Sequence, residues 1–370
     1  MTQPIEFDIY RKRQATLLYH YASMEYLRGL KDRIDALTQG VDFTLDEAQA
    51  QGRDELIANP RWGVRDTAAN WSTYAFPALK DFQKSTIKLM AYRATERYCG
   101  TGAYQCGYML SEHSMRWATD EEEQRFNKIW EAVYDYASKI NRTTAQQVGW
   151  DDFSFTREWH SVGAEFSRLP QFRVRFDVEA ETGKRPPRTG VYVPQDDPLG
   201  ALQFGWTGDS EGALREATTL NTFGFRAMHS IGRKDMWINE QKMAAFANLP
   251  ENYEILKDSP MIEFPVIPNQ AGSDIALNAF TTRPCKWYFV ELLNDQWEMD
   301  SEQNSEVAAV TDDRQRGLPS QPVPVTGFWH TPALQGPAGR RLLNQGERFP
   351  DIAQTPYGAV IWYFDPAHQD

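Results

Sequence analysis

The chain has 370 residues, of which 41% are hydrophobic and 13% aromatic, and it carries a net charge of −12. This length and composition can supply the core of one large domain or of two ordinary ones. There is no run of about 18 apolar residues, so no transmembrane helix and no membrane partner is expected. The acidic balance disfavours nucleic acid as a partner, because phosphates are neutralised by Lys and Arg.

The acidic charge is unevenly distributed along the chain. Residues 1–150 hold 19 basic and 20 acidic side chains, whereas residues 151–370 hold 20 and 31. Residues 251–300 alone hold 3 basic and 9 acidic side chains. The excess in the second half favours a basic partner; solubility is the simpler explanation.

The first residues and the cysteines favour a cytoplasmic location. The segment Met1–Asp8 lacks the basic and apolar regions of a secretory signal. Cys99, Cys106 and Cys285 are odd in number and have no zinc-like spacing. We therefore expect three free thiols in a reducing compartment.

The first 168 residues are predicted to be helical. Apolar side chains recur at steps of three and four along residues 7–38, which predicts a long helix that Gly40 ends. Two capping-box spacings, Thr44-Leu-Asp-Glu47 and Thr119-Asp-Glu-Glu122, predict the starts of further helices. Other helices are expected over 78–98 and 144–166.

From Leu169 onwards the pattern changes. Residues 171–178 alternate between apolar and polar side chains, as in a half-buried strand. Residues 300–325 are polar and end in a proline-rich run, which predicts a mobile loop. Strands are predicted at 171–178, 189–193, 201–206, 261–267 and 285–293, and helices at 211–231 and 240–248.

The last forty residues predict an aromatic β module. Two short strands, Gly327–Trp329 and Ala359–Phe364, flank a turn built on Gly346 and Pro350. We interpret this module as a structural scaffold. The fold class predicted for the whole chain is α+β, with a helical domain over 1–168 and a mixed α/β domain over 169–370.

The best candidate for catalysis is Gly208-Asp-Ser-Glu-Gly212. It fits the Gly-x-Ser-x-Gly pattern between a predicted strand and a predicted helix, the context of a nucleophile elbow. Together with Asp365 and His368 it resembles the Gly-Asp-Ser hydrolases, in which Ser210 would attack and His368 would act as base. However, some 200 mostly helical residues precede it, and chain ends such as His368 fray. The alternative is that Thr207, Asp209 or Ser210 caps the helix at 211–231.

Neither a metal nor a cofactor is expected. The six histidines are scattered and form no ligand spacing. The best candidate for binding is an acidic segment with a tryptophan that follows the strand at 285–293. Such a loop suits a basic partner, although a simple solvated loop explains it equally well. Its candidate residues are Asp295, Trp297, Glu298, Asp300 and Glu302.

Gly, Pro and Trp residues recur at dispersed positions over residues 180–364, in the stretches Thr189–Trp206 and Ile231–Trp237 and in the terminal module. These positions include Gly190, Tyr192, Trp206, Gly208, Gly212, Gly232, Trp237, Gly327, Trp329, Gly346, Pro350, Gly358 and Trp362. The pattern resembles that of the bacterial immunity proteins 71 and 72.

The resemblance implies a function without catalysis. Members of such families neutralise, by binding, a type VI or contact-dependent toxin encoded beside them, and their pattern names no catalytic residues. We therefore expect a cytoplasmic immunity protein that occludes a basic cognate toxin stoichiometrically. The alternatives are the serine hydrolase and an effector chaperone or adaptor.

Overall fold

The computed structural model describes residues 7–57, 64–145, 149–257, 262–300, 316–317, 319–331, 340–350 and 362–364. Helices dominate the N-terminal half and the sheets lie in the C-terminal half, which confirms the α+β class. The helices are α1 (Ile9–Ala22), α2 (Met24–Ala50), α3 (Arg53–Ile57), α4 (Ala68–Tyr74), α5 (Phe76–Arg93), α6 (Ala103–Ser111), α7 (Asp120–Thr144), α8 (Asp152–Val162), α9 (Thr222–Ile231), α10 (Glu240–Ala247), α11 (Pro250–Leu256) and α12 (Pro268–Ala279).

The strands form two four-stranded sheets and one two-stranded ribbon within the described residues. The first sheet has the order β1-β6-β2-β3 and the second the order β7-β10-β8-β9; the ribbon pairs β4 with β5. The strands are β1 (Leu169–Glu181), β2 (Gly190–Pro194), β3 (Gln203–Gly205), β4 (Ala217–Leu220), β5 (Phe280–Arg283), β6 (Lys286–Glu298), β7 (Arg316–Gly317), β8 (Gly327–His330), β9 (Arg340–Leu343) and β10 (Trp362–Phe364).

The first helical stretch differs from the prediction in its middle and at its C-terminal end. Ser23 divides it: the Ser23 hydroxyl accepts a hydrogen bond of 3.0 Å from the Tyr26 amide and so caps α2. Gly40 does not end α2, which continues to Ala50. Thr44 therefore lies inside α2 and does not start a helix; the Thr44 hydroxyl donates to the Gly40 carbonyl one turn earlier. The apolar stripe continues past Gly40 through buried Val41 and Leu45, so packing extends the helix to Ala50.

The capping box at Thr119 is confirmed. The Thr119 hydroxyl accepts from the Glu122 amide at 3.3 Å, and the Glu122 carboxylate accepts from the Thr119 amide at 2.8 Å. Helix α7 then runs to Thr144, with Val133 and Ala137 in the core. The helix predicted over 144–166 is the shorter α8, which has its own N-cap at Asp151.

Helix α1 packs on the first sheet. The Tyr19 hydroxyl donates to the Val290 carbonyl at 2.5 Å and accepts from the Val191 amide at 3.4 Å. Strand β2 is buried along its whole length. One apolar core therefore contains side chains of the helices together with Leu169, Val191 and other residues of the sheet.

Contacts divide the chain into two compact units, residues 1–298 and 299–370. The predicted boundary at 168/169 falls inside the first unit, where one core crosses it. The observed division of the chain thus differs from the predicted one. Local periodicity changes at residue 169, but the sheet that follows is buried by the preceding helices.

Two predicted elements of the second half are wrong. Residues 211–231 are not one helix: a 3₁₀ turn at Ser210–Gly212 and strand β4 precede α9, and Asn221 caps α9 through the Gly224 amide at 3.0 Å. Residues 262–267 form no strand, and α12 follows directly. A second cluster, formed largely by α9, α10 and α12, contains Phe223, Met243 and Ile275.

The second unit has a small aromatic core. Trp329 and Trp362 are fully buried with Phe349. Gly346 has a φ of 88°, which is the positive value that the predicted turn requires. Part of the predicted mobile loop at 300–325 is packed: Val323 is 1% exposed, and its amide donates to the Glu347 carbonyl at 2.6 Å.

Candidate functional site

The turn Gly208–Gly212 lies between two strands, not between a strand and a helix. Ser210 is exposed at the start of the 3₁₀ turn, and its carbonyl accepts from the Ala213 amide at 3.3 Å. The strand β4 follows, so the strand-to-helix geometry of a nucleophile elbow is not formed here. The predicted cap by Thr207, Asp209 or Ser210 is also wrong, because α9 begins only at Thr222 and Asn221 caps it.

The same turn is held against the loop that follows α5. The Gly208 amide donates to the Glu96 carbonyl at 3.2 Å, and a Cβ at position 208 would collide with the backbone there. Asp209 accepts from the Trp206 indole at 2.8 Å and pairs with Arg97 at 3.2 Å. The glycine and the aspartate of the motif therefore have structural roles in joining helix and sheet.

No histidine hydrogen bond to Ser210 is found in the described part of the chain, and Asp365 and His368 lie outside it. His20 packs among aromatic rings, and burial lowers its pKa. His113 stacks on Tyr74. Across the described ranges, no three His, Cys, Asp or Glu side chains come together as a metal site would require.

The cysteines are free thiols, as predicted. Burial raises the pKa of Cys106 to about 12 and that of Cys285 to about 11. Burial also raises the pKa of Cys99. Reactive cysteines have a lowered pKa, so these side chains have the electrostatics of inert thiols.

The acidic candidate segment begins in strand β6, not in a loop. Leu293 pairs with Gln171, and Trp297 pairs with the neighbouring Pro170, so residues 294–296 are additional residues of a bulge. Asp295 has a φ of 60° in this bulge, a conformation that few residues other than glycine adopt. Such bulges re-aim side chains, and Trp297 is 55% exposed here.

The other acidic candidates are arranged differently from an open acidic loop. Glu298 forms an ion pair of 2.7 Å with Lys12 of α1. Asp300 is only 3% exposed. Glu302 lies outside the described residues. The exposed candidates are therefore Asp295 and Trp297, and the predicted row of acidic side chains is not presented together.

The residues that carry the family resemblance serve the scaffold wherever their side chains are described. The Tyr192 hydroxyl donates to the Arg188 carbonyl at 2.6 Å. Gly232 ends α9 with a φ of 92°. The tryptophans of the pattern are at most 3% exposed: Trp206, Trp237, Trp329 and Trp362.

The terminal module is held together by hydrogen bonds from indole groups to backbone carbonyls and by strand pairing. The Trp329 indole donates to the Val325 carbonyl at 3.3 Å, and the Trp362 indole donates to the Pro350 carbonyl at 3.2 Å. Gly327 pairs with Leu343 across β8 and β9. Gly358 lies outside the described residues.

Sequence reasoning missed one exposed apolar surface. The sequence predicts a strand at 261–267 in a proline-punctuated segment, whereas the described residues of 250–270 form α11, an irregular stretch over 262–267 and the start of α12. Tyr253 and Phe264 meet on the outside of this segment with a ring separation of 4.7 Å. The concentration of acidic residues over 251–300 was the signal in the sequence that pointed here.

The chain matches no protein-family model, no curated protein and no solved structure. The resemblance to immunity proteins therefore rests on the dispersed residues named above. None of the helices in the described parts of the chain combines the length and apolarity needed to cross a membrane.

Proposed function

We propose that this chain is a cytoplasmic immunity protein that binds a secreted bacterial toxin, delivered by type VI or contact-dependent secretion, and blocks it by stoichiometric occlusion. The proposal begins from the resemblance carried by the Gly, Pro and Trp pattern. It is supported by the structural role of those positions, since a pattern of scaffold residues is what a family of binding proteins shares. Gly208-Asp-Ser210 gives less support to a hydrolase, because it joins helix and sheet in a strand-to-strand turn.

Trp297 is the observation that carries the proposal. The side chain of Trp297 is 55% exposed, so much of its apolar ring stays in unfavourable contact with water unless a partner covers it. Tryptophan is also enriched among the residues that dominate binding energy. The β6 bulge fixes its position, so little side-chain order is lost on binding. Asp295, with its unusual φ, places a carboxylate two residues away.

The charge of the chain favours a basic toxin. A net charge of −12 attracts a cationic protein over distances beyond direct contact and raises its association rate at low salt. Electrostatic steering acts mainly on the association rate, whereas the contact that would bury Trp297 in the complex acts mainly on the dissociation rate. The two contributions are therefore separable by experiment.

The test uses the protein encoded by the reading frame next to this gene as the candidate toxin. Co-expression should restore growth of cells that produce it, and the purified proteins should form a 1:1 complex. Trp297→Ala should weaken the complex by about 2 kcal/mol or more, as for a hot-spot residue, mainly through faster dissociation. Asp295→Lys should slow association and flatten its salt dependence.

Two further variants serve as controls. Tyr104→Ala removes another exposed aromatic ring, on α6, and should leave both rates unchanged. Ser210→Ala should leave protection intact, whereas loss of protection together with loss of esterase activity would establish the hydrolase. A complex that forms without inhibiting the toxin would indicate the chaperone. If Trp297→Ala bound the toxin with full affinity, Trp297 would not be part of the interface.

A further inference from the structure

A second exposed surface lies on the cluster formed by α9, α10 and α12. It is defined by Leu249, Tyr253, Phe264 and Ile267, and we refer to it as the Tyr253–Phe264 surface. Tyr253 and Ile267 are 46% and 47% exposed, and Leu249 and Phe264 are each 37% exposed. Apolar side chains exposed singly need no explanation, but several on two segments that the fold holds together point to an interaction site.

The side chain of Asn248 fixes the two segments of this surface to each other. Its amide nitrogen donates to the Val266 carbonyl at 2.9 Å, and its amide oxygen accepts from the Val266 amide at 2.9 Å. These bonds hold the residue before Leu249 against the residue before Ile267. Exposure of these side chains is therefore a property of a fixed structure, and binding would cost little ordering.

The buried side of α11 is also fixed by a hydrogen bond. Asn252 is fully buried, and its side chain donates to the Phe246 carbonyl at 2.7 Å. Tyr253, the next residue, is thereby turned outward, where its ring meets that of Phe264 at 4.7 Å and an angle of 56°. The two rings form a shallow apolar platform.

Three acidic side chains lie within two residues of the platform rings along the chain. Glu251, Glu254 and Glu263 are all exposed. Glu254 pairs with Lys257 at 2.5 Å, whereas Glu251 and Glu263 form no ion pair within the described residues. Glu251 lies two residues before Tyr253 on α11, so the two side chains do not share a face of the helix. Glu254 and Glu263, which directly neighbour Tyr253 and Phe264 in the sequence, therefore form the negative border of the platform.

We propose that the Tyr253–Phe264 surface binds an amphipathic basic segment of a partner protein. Apolar side chains of that segment would cover the two rings, while its Lys or Arg side chains would pair with Glu254 and Glu263; Arg can also stack on an aromatic face. Nucleic acid and anionic lipid are disfavoured because the border would repel their phosphates. A second copy of this chain would bring the same negative border against itself. The inference does not require the partner to be a toxin.

The test uses a short labelled synthetic peptide that, as a helix, has leucine on one face and lysine on the other. Its counterpart has glutamate in place of every lysine. Fluorescence anisotropy with the full chain should show saturable binding of the lysine peptide, weakened by salt, and no binding of the glutamate peptide. Glu254→Lys/Glu263→Lys should weaken binding of the lysine peptide by about tenfold or more, since two attractive charge pairs become repulsive.

Matched variants separate this site from general attraction to an acidic protein. Glu121→Lys/Glu131→Lys makes the same charge change on exposed positions of α7 and should leave affinity nearly unchanged. Tyr253→Ser keeps the charge and should also weaken binding. Because these side chains are exposed, thermal unfolding should show that all variants remain folded. Absence of saturable binding, or equal weakening by both charge reversals, would overturn the proposal.

Discussion

The carboxylate of Asp152 accepts a hydrogen bond of 2.8 Å from the indole nitrogen of Trp237, 85 residues further along the chain. The same carboxylate is held by both terminal nitrogens of Arg233, one of them at 2.7 Å. Trp237 has a φ of 74°, which a bulky residue rarely adopts, and it is 2% exposed. The segment after Gly232 is thus tied to the first turn of α8, and one carboxylate holds it in a strained conformation.

Asp152→Ala should therefore be strongly destabilising. It leaves the Arg233 guanidinium and the Trp237 indole without their acceptor, and breaking a buried pair costs about 3–5 kcal/mol. Urea unfolding followed by circular dichroism measures the change. Asp81→Ala removes a carboxylate from an exposed pair with Lys84 and should change stability by less than about 0.5 kcal/mol. Equal effects of the two substitutions would contradict this role of Asp152.

Two Gly→Ala substitutions should change the free energy of unfolding in opposite directions. Gly208→Ala forces a Cβ into the backbone of Thr95 and Glu96, and overpacking of this kind costs about 1–3 kcal/mol. Gly40→Ala lies inside α2 with open space around the new methyl group and should stabilise by about 0.5–1 kcal/mol. Thermal unfolding of both variants gives the comparison. A destabilised Gly40→Ala would show that the glycine has a role beyond the helix.

Trp329→Ala should destabilise the second unit. The ring is fully buried against Phe349, and removing such a ring costs about 3–5 kcal/mol. Leu342→Ala, on the neighbouring strand β9, removes a side chain that is 58% exposed and should have little effect. Limited proteolysis reports on this unit separately from the rest of the chain. Unchanged resistance of Trp329→Ala together with lost toxin binding would make the module an interface.

Stability should fall in alkaline solution. Burial raises the pKa of Cys106 from 9.0 to about 12 and that of Tyr192 from 10.0 to about 12. The unfolded chain loses these protons at lower pH than the folded protein, so unfolding releases protons and stability decreases as the pH rises. The decrease begins near pH 9, where unfolded thiols ionise, and continues until the folded groups titrate near 12.

The midpoints of urea unfolding, measured from about pH 9 upwards, give the slope of stability against pH. Cys106→Ala should flatten it, because one proton-releasing group is removed, although it also changes stability at neutral pH. A midpoint independent of pH between about 9 and 11 would contradict the raised pKa values.

Local signals in the sequence determined much of the secondary structure. The capping box at Thr119 and Glu122 defines the start of α7 from neighbouring residues alone. The alternation at 171–178 lies within β1, and the apolar run at 285–293 lies within β6 from Lys286 onwards; these two strands pair with each other. The glycine at 346 adopts the conformation that its turn requires. These features depend on interactions within a few residues, so the sequence contains their physical cause.

Other features were decided only by tertiary structure. Gly40 reads as a helix end, but burial of Val41 and Leu45 outweighs its low helix propensity. Gly208-Asp-Ser210 reads as a nucleophile elbow, but its contacts with Glu96 and Arg97, more than a hundred residues earlier, give it a structural role.

The candidate sites show the same division. The sequence located acidic charge in the second half and singled out Trp297, whose exposure the β6 bulge then provides. It did not indicate that Glu298 pairs with Lys12 or that Asn248 brings Tyr253 and Phe264 to one surface. Composition determines how much charge and apolar surface a chain has. Contacts between distant residues determine which of those side chains remain available to a partner.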